Sequence, residues 1–177
     1  IVLATTGSKG EWHAPHQQKN CRHIHLKLPN KLWSLLSFLN LVSLDREIEK
    51  RVGKIDAIFL PNLGFIGRIT MRPYVLLLHD LSFLIEPRWF SRKMRWWHRA
   101  VRAEEMVRSA THLLAVSETT RKDAVRLLGI PAERISVIPF GSTFDSVGAR
   151  HAVPLPGRYV LILGSNDPRK KAATAIE

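Results

Sequence analysis

Apolar residues along this chain gather in short runs, separated by stretches with helical spacing. Tyr74–Leu78 is the clearest run: it has no polar alternation and stops at His79 and Asp80. Such a run predicts a strand buried on both faces of a parallel sheet. Ile1–Thr5, Ile55–Leu60, His112–Val116 and Ile135–Pro139 read as further strands, and Tyr159–Leu163 as another after a gap. His23–Leu28 alternates polar and apolar, which is also a strand signal. Lys31–Arg51 predicts one helix, closed by Lys50, Arg51 and Gly53. Ser91–Ala110 predicts a long basic helix after an irregular Leu81–Phe90. Ser117 is a good N-cap for a helix over Glu118–Leu128, which Gly129 and Pro131 end. Gly7–Asn20 and Pro61–Pro73 read as loops.

Strands alternating with helices predict an α/β fold, a Rossmann-like parallel sheet with helices on both faces. Gly141–Gly157 is rich in Gly, Ser and Pro and reads as a linker. The expected division is therefore a first domain over 1–140, a linker over 141–157, and the start of a second domain over 158–177.

Composition narrows this picture. A chain of 177 residues, 45% hydrophobic, holds one core, or one domain and part of another. The single cysteine, Cys21, excludes an internal disulfide framework and fits a reducing compartment. No basic segment precedes IVLATTGSKG, so no signal peptide is expected. Leu32–Leu44 is the longest apolar stretch, and Ser34, Ser37, Asn40 and Ser43 interrupt it. It falls short of the roughly 18 apolar residues of a spanning helix and reads as a mostly buried one. The chain opens mid-strand and stops inside a helical pattern, so a piece of a longer protein is expected.

Charge and side-chain chemistry then select candidates. With 27 Lys+Arg against 15 Asp+Glu, the formal charge is +12, and anionic partners are favoured: nucleic acid, an acidic membrane or a phosphorylated small molecule. His79 and Asp80 stand at the carboxyl end of a buried strand, where ligands of open α/β sheets bind. A neutral imidazole there can donate to a sugar hydroxyl or take a proton. Asp80 can accept from a hydroxyl, and the same pair also suits a turn. Asn62, after another strand, either faces the cleft or shapes the turn with Pro61. Ser117 sits at a strand-to-helix junction but lacks the flanking glycines of a nucleophile elbow, and its cap role explains it.

The stretch Gly164–Lys171, GSNDPRKK, lies between a strand and a helix start, where backbone N–H groups attract anions, and Arg169 and Lys170 add charge. It is no P-loop. From Arg88 to Arg102, Arg88, Arg92, Lys93, Arg95, Arg99 and Arg102 interleave with Trp89, Trp96 and Trp97. That mixture suits a membrane interface, base stacking, or tryptophans packed inward beneath a solvated face. His13, His16, Cys21, His23 and His25 fit no zinc spacing, so no metal site is expected.

Taken together, IDAIFLPN (Ile55–Asn62), VLLLHDLSF (Val75–Phe83), HLLAVSETTRKDAVRLLGIPAERISVIPFG (His112–Gly141) and YVLILGSNDPRKK (Tyr159–Lys171) resemble family 4 of the retaining glycosyltransferases. The resemblance covers most of Ile55–Lys171. It implies the GT-B fold, with this chain holding the first domain and the start of the second. It implies transfer of a hexose, with a lean towards mannose, from a nucleotide-diphosphate sugar to a glycan or lipid-linked acceptor, with retention and without a metal or other cofactor. It implies that His79 contacts the donor sugar near the reacting centre. Gly164, Ser165, Arg169 and Lys170 would bind the donor, the two cations neutralising its diphosphate.

The family's glycine-rich loop would precede Ile1, and its E-x7-E region would follow Glu177. The usual PRKN is PRKK here, and Ser165 stands where many relatives carry Arg. The chain alone is therefore expected to be inactive. A cytoplasmic location, against the inner membrane face through Arg88–Arg102, follows as an expectation, with no nucleic acid as partner. The rival readings are a basic α/β module that binds membrane or nucleic acid, and another GT-B enzyme such as a sugar-nucleotide epimerase or a phosphorylase.

Overall fold

The computed structural model describes residues 1–6 and 22–141. The loop expected at Gly7–Asn20, the linker beyond Gly141 and the start of a second domain lie outside them. In chain order the elements are β1 (Val2–Thr6), β2 (Arg22–Leu26), α1 (Asn30–Phe38), α2 (Leu44–Val52), β3 (Ile58–Leu60) and β4 (Tyr74–Leu78). They continue with α3 (Ser82–Ile85), α4 (Arg92–Ala100), α5 (Ala103–Ser109), β5 (His112–Ala115), α6 (Glu118–Leu128) and β6 (Ile135–Val137). Short 3-10 turns cover Pro87–Trp89 and Ala132–Arg134.

β1 and β2 pair in parallel, and β3-β4-β5-β6 form a second sheet in that order, parallel throughout. The register aligns Leu60, Leu76, Leu113 and Ile135 in one row across this sheet, and all are buried. Neighbours in a parallel register share a face, so this row is the floor of the core. One core cluster joins the two sheets, from Ile24 and Leu26 to Ala124 and Leu128. The other face is covered less completely: Val75, Leu77 and Leu114 are half-buried and Phe59 is exposed. This is a Rossmann-like parallel α/β fold with helices packed on its sheet.

Two expected helices are each split. Lys31–Arg51 divides into α1 and α2 because the chain is extended at Val42–Leu44. There Arg68 N–H donates to Val42 O at 2.9 Å, and Leu44 N–H to Arg68 O at 2.7 Å. Gly67 lets the strands approach: its φ is +80°, and a Cβ there would meet Val42 O at 3.0 Å. Ser91–Ala110 divides into α4 and α5 at Arg102, whose φ is +54°. Asn40, just after α1, has φ +57°, and its Oδ1 accepts from Arg102 Nη1 at 2.8 Å. Two left-handed residues thus hold one another where the helices break. The irregular Leu81–Phe90 contains α3 and a 3-10 turn.

Leu32–Leu44 is not mostly buried. Trp33 packs inward and donates Nε1–H to Phe65 O at 2.7 Å, while Leu32, Leu35, Leu39 and Leu41 face outward.

Asp45, at the start of α2, is fully buried. Its carboxylate accepts from the backbone N–H of Thr70 (2.8 Å), Met71 (2.6 Å) and Arg46 (3.0 Å), and from the Ser43 hydroxyl. Burial pushes this carboxyl up, but the hydrogen bonds together outweigh it and hold the pKa below the ordinary 3.8. The loop from Pro61 to Pro73 is thereby pinned to α2. Tyr74 fixes the entry to β4: its hydroxyl donates to Met106 O at 2.6 Å, and burial pushes its pKa up to about 12.

Replacing Asp45 by Ala is expected to lower the unfolding free energy by about 2 kcal/mol, because it leaves part-buried N–H donors without their charged acceptor. Urea denaturation reads this, and a loss below about 1 kcal/mol would count against the pinning role. The folded-state pKa lies below the unfolded one. The contribution is therefore complete above the unfolded value and is lost as pH falls through the folded value. Wild-type stability should fall in acid more steeply than that of the Ala variant.

Candidate active site

Parallel strands in one sheet end at one edge, so the residues just past β3, β4, β5 and β6 gather there. They are Pro61-Asn62, His79-Asp80, Ser117 and Phe140. His79 is at the centre. Its Nε2 is 3.1 Å from Pro61 O, and its own backbone oxygen accepts from Thr120 Oγ1 at 3.1 Å. Phe140 stacks on the ring at 5.8 Å between centroids and 25° between planes. His79 nevertheless stays exposed.

The partner of Nε2 decides the chemistry of the ring. A carbonyl oxygen can only accept, so Nε2 carries the hydrogen and Nδ1 of the neutral imidazole keeps its lone pair. The sequence left open whether His79 donates or accepts. This geometry leaves Nδ1 as the acceptor nitrogen of the neutral ring.

Asp80 forms the Asx-type turn that was one of its two readings. Its Oδ1 accepts from Ser82 N–H at 2.9 Å and from the Ser82 hydroxyl at 2.5 Å. The turn does not use Oδ2. The turn leads into α3, where Phe83 stacks on His98 at 4.4 Å with planes 7° apart. Burial pushes the His98 imidazole below its ordinary pKa, and the Asp80 carboxylate pulls against that. Beside this pair a groove of about 680 Å³ runs along α4 and α5, lined by Phe83, Leu84, Arg95, His98 and Arg99 among others.

Ser117 caps α6: its hydroxyl accepts from Thr120 N–H at 3.1 Å and lies 3.1 Å from Thr120 Oγ1. Asn62 is exposed at the same edge as His79. His23 and His25 share one side of β2, where Thr5 Oγ1 meets His23 Nε2 at 3.3 Å and His25 Nδ1 at 3.0 Å. Among the described residues no group of three or more His, Cys, Asp or Glu is placed to hold a metal ion. Gly164, Ser165, Arg169 and Lys170, with His13, His16 and Cys21, lie outside the described residues.

Sequence reading missed the residues that hold His79: the Pro61 carbonyl, Thr120 and Phe140. Thr120 carried a signal, a polar residue three places past an N-cap and on the inner face of α6. Phe140 carried none, since its contact depends on the path of the chain after β6. Long-range nitrogen–proton NMR spectra are expected to show His79 protonated at Nε2 when neutral. An Nδ1–H tautomer would overturn the role given to Pro61.

No curated protein and no solved structure matches the chain significantly. The model of Glycosyltransferase Family 4 matches residues 1–142, which takes in every strand just described and the whole carboxyl edge around His79. A parallel α/β domain with that edge, under a match to four-fifths of the sequence, belongs to glycosyltransferase family 4.

Proposed function

We propose that this domain is the acceptor-side half of a retaining hexosyltransferase, with a lean towards mannose, that uses a nucleotide-diphosphate sugar and acts on a glycan or lipid-linked acceptor. The observation that carries the reading is the held imidazole of His79 at the carboxyl edge of the sheet. With Nε2–H committed to Pro61 O, Nδ1 accepts from a hydroxyl of the transferred sugar and orients it. Phe140 and the Thr120 hydroxyl keep the ring and its backbone in place.

Residues 158–177 are proposed to begin the nucleotide-sugar domain. Arg169 and Lys170 there would neutralise the charge that develops on the leaving diphosphate, with Gly164 and Ser165 offering backbone N–H groups, so that fixed cations do the work of a metal. The groove along α4 and α5, with Phe83 and Leu84 for apolar contact and Arg95 and Arg99 for an anionic group, is the proposed place of the acceptor. Contact with an anionic membrane surface through Arg88–Arg102, on the cytoplasmic side, belongs to the same reading. Among the described residues no helix is long and apolar enough to cross a membrane.

The test is turnover of GDP-mannose and other sugar nucleotides by enzyme in which this domain is joined to its nucleotide-sugar domain. Replacing His79 by Ala is expected to lower kcat/KM about tenfold, the worth of one oriented hydrogen bond. Replacing Lys170 by Ala is expected to weaken donor binding about thirtyfold, as for a charge-assisted contact to phosphate. Absence of both hydrolysis and transfer with every donor would sink the reading.

A further inference from the structure

The end of β4 far from His79 borders a second concavity. A pocket of about 170 Å³ opens where the end of α1, the loop after β3, the start of β4 and the α4–α5 junction meet. That is far above the roughly 15 Å³ that a single water needs. Tyr74, in its wall, and His79 stand at opposite ends of the strand, roughly 16 Å apart at about 3.3 Å per residue. The pocket is therefore separate from the carboxyl edge. It shares Arg102, Glu105 and Ser109 with the groove along α4 and α5. Its loop wall is fixed: Trp97, unlike the 60% exposed Trp96, packs edge-on against Phe65 at 6.4 Å, and the Arg68 backbone is bonded to Val42 and Leu44.

The pocket holds uncommitted polar groups. The Ser37 hydroxyl oxygen is enclosed and has no hydrogen-bond partner among the described residues, a cost that a ligand hydroxyl would remove. Asn40 and Arg102 are the only non-glycine residues with positive φ among the described residues, and both line this pocket. Such backbone costs on the order of 1–3 kcal/mol per residue and gathers at ligand clamps. Arg102 Nη1 donates to Asn40 Oδ1 at 2.8 Å and lies 3.8 Å from Glu105, which leaves its other guanidinium nitrogens and the Asn40 amide nitrogen as donors. Arg68 has no carboxylate partner among the described residues. Two guanidinium groups against the single Glu105 carboxylate leave positive charge in excess. One guanidinium matches the two oxygens of a carboxylate, whereas two from different elements suit the several oxygens of a phosphate.

We propose that this pocket binds a small phosphorylated polyol, with its phosphate on the Arg68 and Arg102 guanidinium groups and its hydroxyls on Ser37 and Glu105. Glu105 can only accept, so it takes the hydrogen of one ligand hydroxyl, while Ser37 gives or takes another. The bound molecule ties α1, the loop after β3 and the α4–α5 junction together. Because Arg102 and Glu105 also line the groove, occupancy of the pocket fixes one wall of the groove without entering the carboxyl edge.

The experiment is an NMR titration of the isotope-labelled 177-residue chain with glycerol-3-phosphate and, separately, with glycerol. Saturable shifts are expected with glycerol-3-phosphate at the Gly64 and Gly67 amides and at Arg102, with none at His79 or Ser117 and none from glycerol. Arg68→Gln should weaken binding about tenfold, as for one charge-assisted contact. Ser37→Ala should weaken it about threefold, for one neutral hydrogen bond. Lys122→Gln, an exposed cation on α6, should leave it unchanged, and circular dichroism verifies that each variant is folded. Four results would overturn the proposal: no saturable shift in the wild-type chain, the same shifts with glycerol, shifts centred on His79, or an Arg68→Gln variant that binds as tightly as the wild type. No sugar nucleotide is present and no transfer is measured. Failure here therefore leaves the transferase reading standing, and failure of that reading leaves this one.

Discussion

The register of β4 is the constraint on which the candidate site depends. This strand is paired on both edges, with Leu76 opposite Leu60 on one side and Leu113 on the other. A slip of one residue would turn Leu76 and Leu78 out of the core and bring the half-buried Val75 and Leu77 in. It would also move His79 off the sheet edge and away from Pro61. The same burial that stabilises the sheet therefore fixes the position of the imidazole.

The long connection from β3 to β4 has a separate device, since the pairing of Leu60 with Leu76 places Pro61 but leaves the far end of the loop to be held. Asp45 supplies it. A single buried carboxylate collects three backbone N–H groups and a hydroxyl and ties Thr70 and Met71 to the start of α2. A buried charge is costly unless it is hydrogen-bonded, and here the loop supplies two of the bonds and the start of α2 the other two. The ion pair between Glu49 and Arg72, 2.6 Å long, reinforces the same junction. The connection is thus held at Thr70–Arg72, next to β4, as well as by the exit from β3.

Membership of glycosyltransferase family 4 agrees with a site built on strand ends rather than on a nucleophile. Ser117 is occupied as a helix cap, and Asp80 is engaged in its turn. What the edge presents is an acceptor nitrogen with a fixed tautomer and an aromatic ring beside it.

The sequence by itself determined the parallel α/β class, the limits of β4 and α6, the Ser117 cap and the placing of His79 at a strand end. Each of these depends on local chemistry: unbroken apolar runs, a hydroxyl before a helix, glycine after it. The tertiary structure alone decided where the two long helical patterns break. The bridge between Ser43 and Arg68 and the Asn40–Arg102 pair join residues far apart in the chain, and helical spacing continues straight through both breaks. Tertiary contacts likewise decided that Trp97 packs in and Trp96 points out, that the apolar residues of α1 divide between core and surface, and that Pro61 sets the tautomer of His79. Periodicity records which residues are apolar. Which neighbour they meet is fixed only when separate elements pack, and the side chains of this site are held by such contacts.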